Sequence, residues 1–103
     1  MPRGVQRARV DGNHAEVISA LRKAGIGAVS LAALGNGIPD VAAGLRGINV
    51  FLEVKCGDFP SQKKLTADEL AFHESWPGQI CVVDSPEAAV LAVIEEAKKR
   101  GVL

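Results

Sequence analysis

Asp40, Glu53 and Lys55 are the residues in this chain best placed to do chemistry together. They lie on two strand-like runs, residues 40–45 and 48–55, that flank Arg46-Gly47. A two-residue tip there makes the segment a hairpin. Leu45 then faces Ile48, Ala43 faces Val50 and Val41 faces Leu52, so one surface is wholly apolar. On the opposite surface Gly44 meets Asn49, Ala42 meets Phe51, and Asp40 lies across from Glu53. Side chains alternate along a strand, which brings Lys55 onto the same surface as the two acids.

Directly opposed side chains have Cβ atoms about 5 Å apart, and like charges there destabilise a sheet. At an effective dielectric near 20 that repulsion is roughly 3 kcal/mol. A marginally stable fold keeps such a pair only with compensation, which a bound divalent cation supplies. Carboxylate oxygens suit Mg²⁺, with Mn²⁺ as a substitute. An ion of this kind activates water and stabilises charge on a phosphate, while Lys55 orients the water or neutralises the phosphate. These groups suffice for phosphodiester hydrolysis. The same residues also fit an ordinary charged strand face, with Asp40 a turn residue after Pro39. The outcome hangs on register. A four-residue loop would oppose Asp40 to Phe51, and a three-residue loop would turn it to the other surface.

The elements that must hold this surface follow from periodicity and caps. Val17, Ile18, Leu21 and Ala24 have helical spacing, with Asn13 as a cap and Gly25 as a stop, which predicts a helix over residues 13–24. Residues 28–34 are short and apolar between Gly27 and Gly35-Asn36-Gly37, which reads as a buried strand. After a loop at residues 57–61, Thr66 and Glu69 have capping-box spacing and Leu65 and Leu70 that of a hydrophobic staple. The helix they open runs through Phe72, His73 and Trp76, with the two aromatics at core spacing, and stops near Pro77-Gly78. Residues 79–83 form another apolar strand. Ser85-Pro86-Glu87 then opens a last helix with Val90, Val93, Ile94 and Ala97 inward. The expected fold is α/β, a central mixed sheet of about four strands flanked by helices in the order α-β-β-β-α-β-α.

With 103 residues and 48% of them apolar, the chain fits a single domain with one core. Residues 1–10, with Arg3, Arg7 and Arg9 and no clear period, read as a flexible basic arm. The net charge is zero, so any surface for nucleic acid must be local. No apolar stretch approaches the roughly 20 residues of a membrane span, and the N-terminus lacks a signal peptide's apolar segment. The expectation is a soluble, intracellular protein of the cytoplasm. Cys56 and Cys81 show no paired spacing and read as free thiols. His14, Cys56, His73 and Cys81 lack the regular spacing of a zinc site.

Gly37-Ile38-Pro39-Asp40 followed by Glu53-Val54-Lys55 resembles the signature of the PD-(D/E)XK nucleases. The element order is similar to their restriction-endonuclease-like core, and the chain looks most like the VRR-NUC domain, whose minimal stand-alone form occurs in phages and bacteria. The resemblance spans roughly residues 13–94. It implies that Asp40 and Glu53 are metal ligands, with the carbonyl of Val54 another, and that Lys55 is the catalytic lysine. Glu16 matches the acidic residue that the family places near the metal, although Asn13 and Glu16 also have capping-box spacing. Family members often carry Gln where this chain has Glu69, so Glu69 is either the counterpart of that residue or, as the accompanying staple favours, only the closure of the helix cap. Gln62 is a further polar candidate.

The resemblance further implies an Mg²⁺-dependent DNA endonuclease selective for branched DNA such as Holliday junctions, acting as a homodimer. One active site cuts one strand, so symmetric cleavage of a junction needs two subunits. Lys63-Lys64, beside the Lys55 strand, are the first candidates for phosphate contact and the Arg3, Arg7, Arg9 arm the second. Arg22-Lys23, Arg46 and Lys98-Lys99-Arg100 are further local cations. Aromatic interleaving for single-strand stacking is absent from the sequence. The rival readings are a non-catalytic nucleic-acid-binding or assembly module that keeps the fold, which the intact Asp-Glu-Lys set opposes, and an RNA-directed nuclease of the same core.

Overall fold

The hairpin with Arg46-Gly47 at its tip is the centre of the architecture. In a computed structural model that describes residues 5–55 and 64–103, with side chains from residue 13 onward, β2 (Val41–Leu45) and β3 (Ile48–Val54) pair antiparallel. Val41 pairs with Leu52, Ala42 with Phe51, Ala43 with Val50, Gly44 with Asn49 and Leu45 with Ile48, the register that a two-residue tip requires. Arg46 and Gly47 both adopt positive φ, at 53° and 86°, as a tight turn matching the twist of its strands demands. β1 (Gly27–Ser30) adds antiparallel to β2, and β4 (Gln79–Val83) parallel to β3. The sheet is therefore mixed, in the order β1-β2-β3-β4.

Helices α1 (Val5–Lys23) and α3 (Pro86–Lys99) pack on one surface of this sheet and on each other. Val17 and Leu21 of α1, Ala89 and Val93 of α3, and Val41, Ala43, Val50 and Leu52 of the hairpin form the core there. α2 (Ala67–Ser75) crosses the opposite surface between the parallel strands β3 and β4, a connection that parallel pairing requires. Its capping box is complete: Glu69 N–H donates to Thr66 Oγ1, and Thr66 N–H donates to Glu69 Oε1. Ser85 caps α3 through Ala88 N–H, with Pro86 in the first turn.

Three expectations are corrected. α1 begins at Val5 and runs through Gly12-Asn13, so residues 5–10 belong to a helix rather than an arm, and Asn13 is not a cap. A Gly in a helix interior costs only about 1 kcal/mol, and Val17 and Leu21 anchor this helix on the core. The strand expected over residues 28–34 stops at Ser30 and gives way to a 3₁₀ turn, Ala32–Leu34. The pairing of Ser30 with Val41 would, if continued, set Ala32 opposite Pro39, which has no N–H to give a ladder. Thirdly, Phe72 and Trp76 join no buried core. They stack on each other at 5.1 Å and meet Phe51 at a tilt on the α2 side of the sheet, with Trp76 still 41% exposed.

Among the described residues no helix is long and apolar enough to cross a membrane. Arg3, Cys56, the loop at residues 57–61, Gln62 and Lys63 lie outside the described residues, as do the side chains of Arg7 and Arg9.

Candidate active site

Asp40 enters the sheet just ahead of β2, where its N–H donates to the carbonyl of Leu52 and its carbonyl accepts from Leu31 N–H. These bonds lock its backbone between β1 and β3. Its carboxylate Oδ2 accepts from Val54 N–H at 2.8 Å, across the end of the hairpin. Glu53 is 1% exposed, and its carboxyl group lies close enough to that of Asp40 for the two to interact. Burial first, then the contact with Asp40, raises the Glu53 pKa from 4.5 to about 9, against the opposing pull of Lys55. Its Oε1 is buried without a hydrogen-bond partner. A lone chain at neutral pH thus holds Glu53 protonated, as an apolar setting and a like-charged neighbour dictate.

Lys55 follows at the end of β3, its N–H donating to Val83 O of the parallel neighbour. Its Nζ lies 2.7 Å from Glu69 Oε1, the same oxygen that accepts Thr66 N–H in the capping box. Glu69 is thereby held in its charged form by Lys55 and the cap, although its own burial works the other way. The choice between a cap and a site residue does not arise, because one oxygen does both.

His73 is the group that sequence reasoning missed. It lies one helical turn beyond Glu69, and residues 69, 72, 73 and 76 form one stripe of α2 turned toward the sheet. His73 Nε2 stands 3.8 Å from Glu53 Oε1, too far for a hydrogen bond, and both atoms are buried without partners. Burial lowers the His73 pKa and favours the neutral ring. Its spacing from Glu69 alone does not place it at the site; that follows only from α2 covering the acidic surface rather than the apolar one.

The donors present suit a hard divalent cation. Mg²⁺ commonly takes one or two carboxylates and keeps several waters, and here two carboxylates converge with one buried oxygen unsatisfied. Among the described residues no cluster of three or more His, Cys, Asp or Glu side chains is arranged to hold a metal. Beside the two carboxylates, Lys55, Val82, Val83, Asp84 and Ala88 line a cavity of about 220 Å³. It opens at the carboxyl ends of the parallel strands β3 and β4, a recurrent location for ligands in α/β sheets.

The remaining candidates are dispersed. Glu16 is exposed on α1, the helix that covers the opposite surface of the sheet, and makes none of the contacts that join Asp40, Glu53, Lys55, Glu69 and His73. Lys64 is exposed two residues before the α2 cap. Arg46 is at the hairpin tip, and Lys99 and Arg100 pair with Glu96 near the start of β4, both at the far end of the sheet from Lys55. His14, His73 and Cys81 stand on separate elements, and Cys81 is a free thiol whose pKa burial raises.

Comparison with protein families, with curated proteins and with solved structures finds no match to this chain.

Proposed function

We propose that the protein is a divalent-metal-dependent DNA endonuclease centred on Asp40, Glu53 and Lys55. The observation that carries this reading is the buried Glu53 carboxyl group beside the half-buried Asp40 at the open end of a hairpin, with Lys55 next along the same strand. A fold gains nothing from setting a buried carboxyl group against a second one; a cation held by both would turn that cost into a binding site. The resemblance of residues 37–40 and 53–55 to the PD-(D/E)XK signature supports the same assignment.

Asp40, Glu53 and the Val54 carbonyl would hold Mg²⁺ or Mn²⁺, which would supply Lewis-acid stabilisation of the charge that builds on the phosphoryl oxygens. Asp40 Oδ2 is fixed by Val54 N–H, which holds the carboxylate in place. Lys55 presents its ammonium to a substrate oxygen from a position held by Glu69. The neutral His73 ring and the Phe51, Phe72 and Trp76 cluster wall off the pair from solvent on the α2 side. Activity on branched DNA by a homodimer, one active site for each strand, is part of the proposal and rests on the family resemblance.

The test is a cleavage assay with Mg²⁺ and Mn²⁺ on duplex, single-stranded, flap and four-way-junction DNA, with RNA alongside. Asp40→Ala and Glu53→Ala are each expected to lower the rate by at least about a thousandfold while retaining the wild-type far-UV circular dichroism, a loss equal to about 4 kcal/mol of transition-state stabilisation. Wild-type cleavage in either variant, or in excess EDTA, would sink the assignment.

A further inference from the structure

A second concave surface lies between α1 and the outer edge of β1, away from the acidic pair. It is a groove of about 750 Å³ lined by His14, Ala15, Ile18, Ser19, Arg22, Lys23 and Ser30. Two of these carry positive charge and none is acidic. On α1 they fall at successive turns, so the groove follows the helix for roughly 12 Å from His14 to Arg22 at 1.5 Å per residue.

The two ends of the groove are fixed differently. At one end the Arg22 guanidinium is braced by two bonds, from Nε and Nη2, to the carbonyl of Ala28 on the edge strand. A braced guanidinium keeps donors in reserve, since it has five in all. At the other end His14 is 6% exposed, with Nε2 at 2.9 Å from Ser30 Oγ. Ser30 Oγ also accepts from Ala32 N–H. The other ring nitrogen of His14, Nδ1, is a buried atom with no hydrogen-bond partner. Burying an unsatisfied polar atom costs about 1–3 kcal/mol, and a polar group of a ligand in the groove would be the partner it lacks. This end is also tied to Asp40 through the main chain: Ser30 pairs with Val41, and the next residue, Leu31, donates its N–H to Asp40 O.

We infer that this groove binds the sugar-phosphate backbone of the DNA outside the scissile position, with Arg22 and Lys23 on phosphates and His14 and Ser30 at the end nearest Asp40. The inference rests on the nuclease reading for the identity of the strand, and on the groove's own chemistry for the phosphate. Its length covers about three nucleotides at 3.4 Å each along a duplex. The zero net charge of the chain makes a built groove of one sign the means by which it holds a polyanion.

The experiment compares wild type with Lys23→Glu and with Ser19→Glu, both exposed positions outside the catalytic centre. Binding of a fluorescein-labelled 30-base-pair duplex is followed by anisotropy across salt, in Ca²⁺ to prevent turnover. Hydrolysis of bis(p-nitrophenyl) phosphate, too small to reach the groove, is followed in Mn²⁺. Each variant is expected to weaken duplex binding at least about tenfold and to flatten the dependence on log salt by about one unit, with hydrolysis of the small diester unchanged. Wild-type duplex affinity and salt slope in both variants overturn the groove, as does a wild-type chain that binds no duplex. Wild type that binds duplex but hydrolyses neither the small diester nor DNA removes the nuclease reading instead, while the anisotropy comparison still decides the groove.

Discussion

Val41, Ala43, Val50 and Leu52 are sealed under α1 and α3, whereas Phe51, Glu53 and Lys55 on the opposite surface of the same two strands meet α2, a helix with no buried residue of its own. The first surface is continuous aliphatic packing. The second is three aromatic rings and a set of ionisable groups, one of them a carboxyl group held out of water. Alternation along a single hairpin therefore separates aliphatic packing from the surface that carries the ionisable groups. The comparison also explains why α2 can sit lightly. Its contribution is the placement of Glu69 and His73, and its own beginning is secured locally by the capping box.

The contrast is best attacked first through the core. Leu52→Ala should cost about 2–5 kcal/mol in urea unfolding, with the activity of the folded fraction intact. Phe72→Ala should cost less than half as much stability and yet lower cleavage more, because it loosens the helix that carries Glu69 and His73. Equal stability losses would erase the distinction between the two surfaces.

Glu53 offers the next test, without any substrate. In EDTA its folded pKa of about 9 exceeds the ordinary 4.5, so between those values the folded chain retains a proton that the unfolded chain gives up. Stability is then full below about pH 4.5 and declines as pH rises through 9. Glu53→Gln should remove that decline, so that its urea midpoint matches wild type near pH 5 and exceeds it at pH 8.5. Superimposed profiles for the two proteins would show that the acidic surface is no more strained than the aliphatic one.

Smaller effects come from the elements' ends. Thr66→Ala removes one capping bond at a cost of about 1 kcal/mol, and amide exchange should accelerate in the first turn of α2 while the α1 and α3 amides keep their protection. Arg46→Asn should raise stability by about 0.5–1 kcal/mol, because a β-hairpin tip at positive φ favours Asn over a long side chain. Thermal unfolding measures the gain, and an unchanged or lower melting temperature would mean that Arg46 earns its place through the Val102 carbonyl, 3.5 Å away.

Much of this was legible wherever local chemistry decides structure. The hairpin register followed from a two-residue tip between two alternating runs, and with it the meeting of Asp40, Glu53 and Lys55. The starts of α2 and α3 followed from Thr66-Glu69 and Ser85-Pro86. What escaped was decided at a distance. Nothing local announces that residues 32–34 leave the sheet; the reason is Pro39, just ahead of the partner strand. Gly12-Asn13 has the composition of a boundary, but packing further along α1 carries the helix across it. His73 joins the site only because α2 lies over the acidic surface, a fact of topology rather than spacing.

Glu69 Oε1, shared between the first turn of α2 and the ammonium of Lys55, has a meaning for anyone who would retune this protein. Helix-end optimisation is ordinarily a safe route to thermostability, made on residues remote from function. Here the same substitution list would edit the counter-ion of Lys55, so Glu69→Gln separates two properties that the natural side chain fuses: it keeps an oxygen for the Thr66 amide and withdraws the charge from Lys55. A library built around position 69 would therefore change helix-end stability and the charge beside Lys55 along a single axis.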